Sequence, residues 1–171
     1  RSTHGTPDLS LKAQAGALHD ALFEQVALAD AVVHASPVLE VDGYGRRAPG
    51  DGSPSAALSP GRSALRVIGI DALRVAPLAA DLLPRPAEGE DRLAWLDPAL
   101  VFVNAAARDR LALADGDTLE LQVGTRWLPF RVAGSVAAGG APLAVIDLAA
   151  AQHRLGREGQ LTRIDLRLAP G

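Results

Sequence analysis

The sequence predicts an α+β fold, and three stretches carry that prediction. Residues 118–132, TLELQVGTRWLPFRV, alternate apolar and polar side chains on both sides of Gly124–Thr125, the pattern of a two-residue hairpin. Asn104 precedes AAARDRLAL, a run that suits a helix with a side-chain cap. Residues 142–168 combine a strand, a capped helix, a Gly-containing turn and a second strand. At 171 residues the chain is one domain, or two small lobes sharing a backbone. A globule of this length buries roughly 70% of the surface its unfolded chain exposes, so it needs no disulfide or metal staple.

Taken in order, residues 7–28 place Leu11, Ala15, Leu18, Leu22 and Val26 at steps of four, three, four and four, which predicts one helical face. Thr6–Pro7 supplies a start, with Ser10 a second cap candidate. Residues 31–41, AVVHASPVLEV, are extended, and Pro37 predicts an edge or a bend because it cannot donate to a ladder. Residues 42–62 are dominated by Gly, Pro, Ser and Ala and are expected to form a long flexible loop. SALRVIGID, residues 63–71, is apolar on both faces (Leu65 and Val67; Ile68 and Ile70), hence a central strand.

Residues 76–98 are irregular, broken by Pro77, Pro84, Pro86 and Pro98, with a helical turn at most in DRLAWL. ALVFVN is a strand, ADGD at 114–117 a turn, and the hairpin turns Leu119, Leu121, Leu128, Phe130 and Val132 inward. In the last segment Asp147 caps a helix whose stripe is Leu148, Ala151 and Leu155, and Gly156 ends it in the left-handed region. The closing strand turns Ile164, Leu166 and Leu168 in and Arg163, Asp165 and Arg167 out.

The bulk numbers exclude some functions. Net charge is −3, basic residues are scattered and aromatics are few, so neither a phosphate-tracking groove nor a base-stacking platform is expected. Cys is absent, which removes disulfides, thiolate–zinc sites and redox motifs. Met is absent too and the chain opens on Arg1, so it is expected to be processed or excised from a longer protein. The longest apolar run, 132–146, is interrupted by Gly134, Gly139, Gly140 and Pro142, and no signal-peptide pattern occurs, so the fragment is expected to be soluble.

No motif predicts chemistry. His4, His19, His34 and His153 lie on different elements without ligand spacing. Asp115-Gly116-Asp117 lacks the further oxygens and distal Glu of a calcium loop. Gly43-Tyr44-Gly45 and Gly139–Gly140 do not link a strand to a helix as a phosphate-binding loop must. Ser53, Ser55 and Ser59 lack the nucleophile elbow. Asp71 and Asp147 end strands, where catalytic carboxylates often sit, but turn and cap chemistry accounts for each. The expectation is no catalytic residue, no metal and no cofactor. Five residues are candidates for partner contact: Tyr44, Arg46 and Arg47, which could grip an acidic partner, and Trp95 and Trp127, since Trp is enriched at interfaces. Solvated charge and half-buried packing are the competing readings.

LFEQVALADAVVHASPVLEV with ALRVIGIDALRV, then LVFVNAAARDRLALADGDTLELQVGTRWLPFRVAGSV and AVIDLAAAQHRLGREGQLTRIDLRL, resemble the extracytoplasmic core domain of FtsX/MacB-type ABC-transporter permeases. The last stretch discriminates; the GDxLxL phrase alone is shared with small cofactor-binding β-barrels. The resemblance implies a two-lobed periplasmic core domain, with a porter-like α/β lobe at 1–75 and 141–171 and a β-rich lobe inserted at 76–140. It implies a non-enzymatic domain on the outer face of a bacterial inner membrane. Its expected partners are flanking transmembrane helices, a cytoplasmic ABC ATPase reached through them, and an adaptor or lipoprotein. Nucleic acid is not among them. Two rivals are a small barrel binding the cofactor of an oxidoreductase, and a secreted binding domain.

Overall fold

The structure, a computed structural model, describes residues 8–13, 16–49 and 61–170. In chain order the elements are β1 (Leu9–Lys12), β2 (Leu18–His19), α1 (Ala21–Ala27), β3 (Val32–Arg47), β4 (Ser63–Ile70) and α2 (Ala72–Val75). Then come β5 (Arg85–Pro86), β6 (Leu100–Val103), α3 (Ala105–Leu111), β7 (Thr118–Val123), β8 (Arg126–Ser135), β9 (Leu143–Asp147), α4 (Leu148–Arg154), β10 (Gln160–Leu161) and β11 (Arg163–Leu168). Short 3-10 turns at Ala80–Leu82 and Ala94–Leu96 punctuate the stretch before β6. The mixture of helices with parallel and antiparallel strands is the α+β class expected.

The described strands apart from β2 and β10 form one mixed sheet, and six of them close on themselves. β3 pairs β4, β4 pairs β9, β9 pairs β6, β6 pairs β8, β8 pairs β7, and β7 returns to β3. Closure leaves no edge within that ring. Its hydrogen bonds pass without a break from strands of 1–75 and 141–171 into strands of 76–140. The interior is filled by alternate residues of all six strands, among them Leu65, Val67, Val101, Leu119, Leu121, Phe130, Val132 and Ile146. Helices α3 and α4 start at opposite ends of β9 and add Ala107, Leu111, Ala151 and Leu155 to the same interior.

Outside the ring, Val38, Ile68, Ile70, Phe102 and Val145 form a second cluster, covered by α2 and by Ala79, Leu82, Ala94 and Trp95. The irregular residues 76–98 are thus the lid of a core, which is why no single period describes them. A third cluster lies where β3 extends beyond the ring and pairs β11, which pairs β1; α1 packs there through Leu22, Phe23 and Val26.

Several expectations need correction. The helix predicted over 7–28 is two strands and a short helix: Leu11 lies in β1, Leu18 in β2, and Leu22 and Val26 in α1, all four in one cluster. Spacing that suits a helix arose because separate elements bury into the same place. Ser10 caps nothing; it sits in β1 and donates to Asp165 at 2.6 Å. Thr6–Pro7 and Ala15 lie outside the described residues.

Within the flexible loop predicted at 42–62, Asp42 to Arg47 instead continue β3 and pair β4 and β7; residues 50–60 lie outside the described residues. Gly45 belongs in that strand because a Cβ there would stand 2.8 Å from Leu65 Cδ2 and 3.2 Å from Leu119 Cδ1. Pro37 sits where β3 is locally an edge, as expected: it pairs Ile164 of β11 on one side, and pairing with β4 on the other starts one residue later, at Val38. In β11, Asp165 is buried and Leu168 is 38% exposed, the reverse of the expected faces at those two positions. The central β4, the Asn104 cap, the Gly124–Thr125 hairpin and the Asp147 cap agree with the sequence reading.

Candidate functional site

β3 is sixteen residues long and spans roughly 50 Å. At its start the chain's two described ends meet: Asp8 N donates to Leu166 O at 2.9 Å and Leu168 N to Asp8 Oδ2 at 3.0 Å. At its far end it joins β7, and there the candidate residues gather. The register sets Arg46 opposite Glu120, and Gln122 opposite Trp127. Since Leu119 and Leu121 point into the ring, Glu120 and Gln122 point out.

Arg46 Nε donates to Glu120 Oε1 at 2.7 Å while its guanidinium lies 4.0 Å from the centroid of the Trp127 ring. Two residues back, Tyr44 carries the Arg62 guanidinium at 4.3 Å, and Arg62 Nη1 donates to Gln122 Oε1 at 2.9 Å. Each arginine is therefore stacked on a ring and held by an acceptor on β7. Such stacks contribute about 0.5–1 kcal/mol each at exposed sites. Arg47 reaches Asp117 at 3.6 Å.

The structure brings four of the five candidates to this end: Tyr44, Arg46 and Arg47 on β3 instead of in a loop, and Trp127 on the hairpin's return strand, β8. It leaves Trp95 elsewhere, half-buried against the second cluster. Arg62, Glu120 and Gln122 were missed. The hairpin register alone places Gln122 beside Trp127, but nothing local announces that β3 pairs β7.

A second polar row crosses β4, β3, β11 and β1. Arg66 Nε donates to Asp42 at 2.9 Å, Arg163 Nη1 to Glu40 at 3.2 Å and Arg163 Nε to Asp165 at 3.1 Å. Its charges alternate, two guanidiniums each set between carboxylates, which suits a structural ladder. Asp71 and Asp147 both cap: they accept from Leu73 N at 3.0 Å and Ala150 N at 3.3 Å. Burial pushes the Asp147 carboxyl above its ordinary range; the amides of Ala150 and Ala149 oppose the rise and neighbouring Asp71 adds to it. Among the described residues no three His, Asp or Glu side chains converge as metal ligands would, and no helix is long and apolar enough to cross a membrane.

No family model matches the sequence, and no curated protein matches it significantly. Solved structures do. The extracellular domain of the noncanonic ABC-type transporter YknZ from Gram-positive bacteria superposes with a TM-score of 0.66 at 10% identity, over 98% of this chain and 82% of that one. The periplasmic region of MacB from Actinobacillus actinomycetemcomitans gives 0.60 at 12% identity, over 94% and 73%. This chain has the MacB-type outer-domain fold. A domain described as belonging to a permease protein of Porphyromonas gingivalis gives 0.55 at 10% identity, over 92% and 69%. At such identities the likeness is one of backbone path. Within the MacB-type fold, the arginine–aromatic face and the meeting point of Asp8 with Leu168 lie at opposite ends of β3.

Proposed function

We propose that this chain is the extracytoplasmic domain of an ABC-transporter permease, with no catalysis of its own. Membrane spans on both sides anchor it to a bacterial inner membrane, and a cytoplasmic ATPase moves those spans. The domain passes that movement to a substrate, adaptor or lipoprotein. In this reading 1–75 and 141–171 form the porter-like lobe and 76–140 the inserted one. Tyr44, Arg46, Arg47 and Trp127 belong to the partner-facing end, with Trp95 a separate contact.

The observation that carries the reading is the fold match over nearly the whole chain. The geometry supports it. Both described ends emerge together, as a domain tethered twice to one surface requires. Around that end Leu28, Leu73 and Val33 are 82%, 78% and 53% exposed, and Val33, Leu73, Ala27 and Pro77 line one groove together with His34, Asp71 and Arg74. Apolar side chains left in water there suit an end that faces membrane segments.

Reading the coding sequence on each side tests the proposal. An apolar run of about 20 residues is expected soon after residue 171, with another ending shortly before residue 1. A parent lacking both retires the reading. The cofactor-barrel rival has one observation in its favour, the closed ring of six strands. Titration calorimetry with nucleotide cofactors separates the two, since the permease reading expects no heat of binding.

A further inference from the structure

Charge is unevenly placed on this molecule. The chain as a whole carries −3, yet the far end of β3 gathers Arg46, Arg47, Arg62 and, at the tip of the β7–β8 hairpin, Arg126. Among the described residues Glu120 and Asp117 stand against them, engaged by Arg46 and Arg47 respectively. Among the described residues Arg62 and Arg126 have no carboxylate partner. Tyr44 is 45% exposed and Trp127 half-buried, so two aromatic rings complete the surface.

From this arrangement we infer that the face built by Tyr44, Arg46, Arg62 and Trp127 binds an extended acidic segment of a partner protein. The inference rests on the permease reading and gives its partner a chemistry. Three physical points favour that occupant. Stacking and the bonds to β7 hold both guanidiniums in place before anything binds, so little side-chain entropy remains to be lost. Arg46 spends Nε on Glu120 and Arg62 spends Nη1 on Gln122, which leaves further N–H groups of the planar fork that matches a carboxylate. Tyr44 and Arg46 are two residues apart on one strand, roughly 7 Å, the spacing of same-face side chains along an extended peptide. A surplus of two positive charges suits a short acidic segment; a nucleic-acid backbone needs a longer basic track. Arg, Tyr and Trp are also the residues on which interface energy concentrates.

Fluorescence anisotropy tests this with the 171-residue chain and a labelled peptide that alternates Glu with Thr and Tyr. The Lys-for-Glu peptide and single-stranded oligothymidylate serve as competitors for the assignment. Saturable binding is expected for the Glu peptide alone, weakening as salt rises. Arg62→Glu with Arg126→Glu should weaken it at least about tenfold while lowering the melting temperature by no more than about 2–4 °C, the loss of the Arg62–Tyr44 stack, because both side chains lie outside the cores. Trp127→Ala should weaken it similarly, and the paired arginine variant guards against loss of fold in that case. An unchanged affinity in the double variant, no binding at millimolar peptide, or equal binding of the Lys peptide or oligothymidylate overturns the inference. Failure here with membrane spans present in the parent removes the partner chemistry and leaves the permease reading intact. Binding with no spans in the parent keeps the surface and removes the permease.

Discussion

Asn104 and Leu143 hold each other through two hydrogen bonds, one of them made by a side chain. Asn104 N donates to Leu143 O at 3.1 Å, and Leu143 N donates to Asn104 Oδ1 at 3.0 Å. The pair continues the β6–β9 ladder one step beyond Val103 and Ala144 after the strand has become a helix cap. The same Oδ1 accepts from Ala107 N at 2.9 Å, and Nδ2 donates to Ala141 O at 2.9 Å. One buried side chain thus starts α3 and anchors β9. Asn104→Ala leaves buried backbone groups without partners as well as removing a cap. It is expected to cost about 3 kcal/mol, read as a lower urea midpoint with an unchanged slope.

Gly69 is where α4 touches the sheet. A Cβ at that position would stand 2.5 Å from Ala151 Cβ and 3.3 Å from Leu148 Cα, and the second atom is backbone. Gly69→Ala therefore pushes the helix outward, for about 1–3 kcal/mol of lost stability. Adding Ala151→Gly removes the nearer clash, so the double variant should lose less than the two single losses combined. Chemical denaturation of all four proteins reads that coupling.

Asp147 makes stability depend on pH with the less familiar sign. Its carboxyl titrates above the ordinary range in the folded chain, chiefly through burial. Below the unfolded value both states are protonated and nothing is lost. As pH rises, the unfolded chain ionises first, and stability falls until the folded value is passed. Asp147→Asn keeps an acceptor for Ala150 N and removes the penalty. The variant is expected to melt higher than the parent at neutral pH, with the gap closing in acid. A wild-type curve that instead gains stability over that rise would show that the cap outweighs burial.

Arg46 and Trp127 should be energetically coupled. A double-mutant cycle with Leu at each position is expected to return about 0.5–1 kcal/mol. In a Trp95→Phe background the emission of Trp127 should shift when Arg46 is replaced. Coupling near zero would mean the stack is geometric only.

Much of the fold was legible after residue 99, where most elements announce themselves locally and β11 alone among those read had two faces reversed, at Asp165 and Leu168. Asn104 caps α3, Gly124–Thr125 sets the β7–β8 register, and Asp147 and Gly156 bracket α4. Before that point local signals misled. Leu11, Leu18, Leu22 and Val26 share a cluster through the tertiary structure, and their spacing mimicked one helix. Gly43 and Gly45 looked like loop, but Gly45 is small because Leu65 and Leu119 crowd it from inside the ring. Asp165 looked like surface until β1 brought Ser10 over it. The candidate site was half legible for the same reason. Its residue types were visible, but their meeting depends on Arg46 facing Glu120 across strands more than seventy positions apart in sequence.

The contact between Asp8 and Leu168 has a mechanical consequence. Tension applied to those two positions would open β1 from β11 like a zipper, one pair at a time, because both ends of the antiparallel pair are grasped at the same margin. A push at the same margin runs along β3, which passes from its pairing with β11 into the closed ring and its plugged interior. Built this way, the molecule is weak as a rope and strong as a strut.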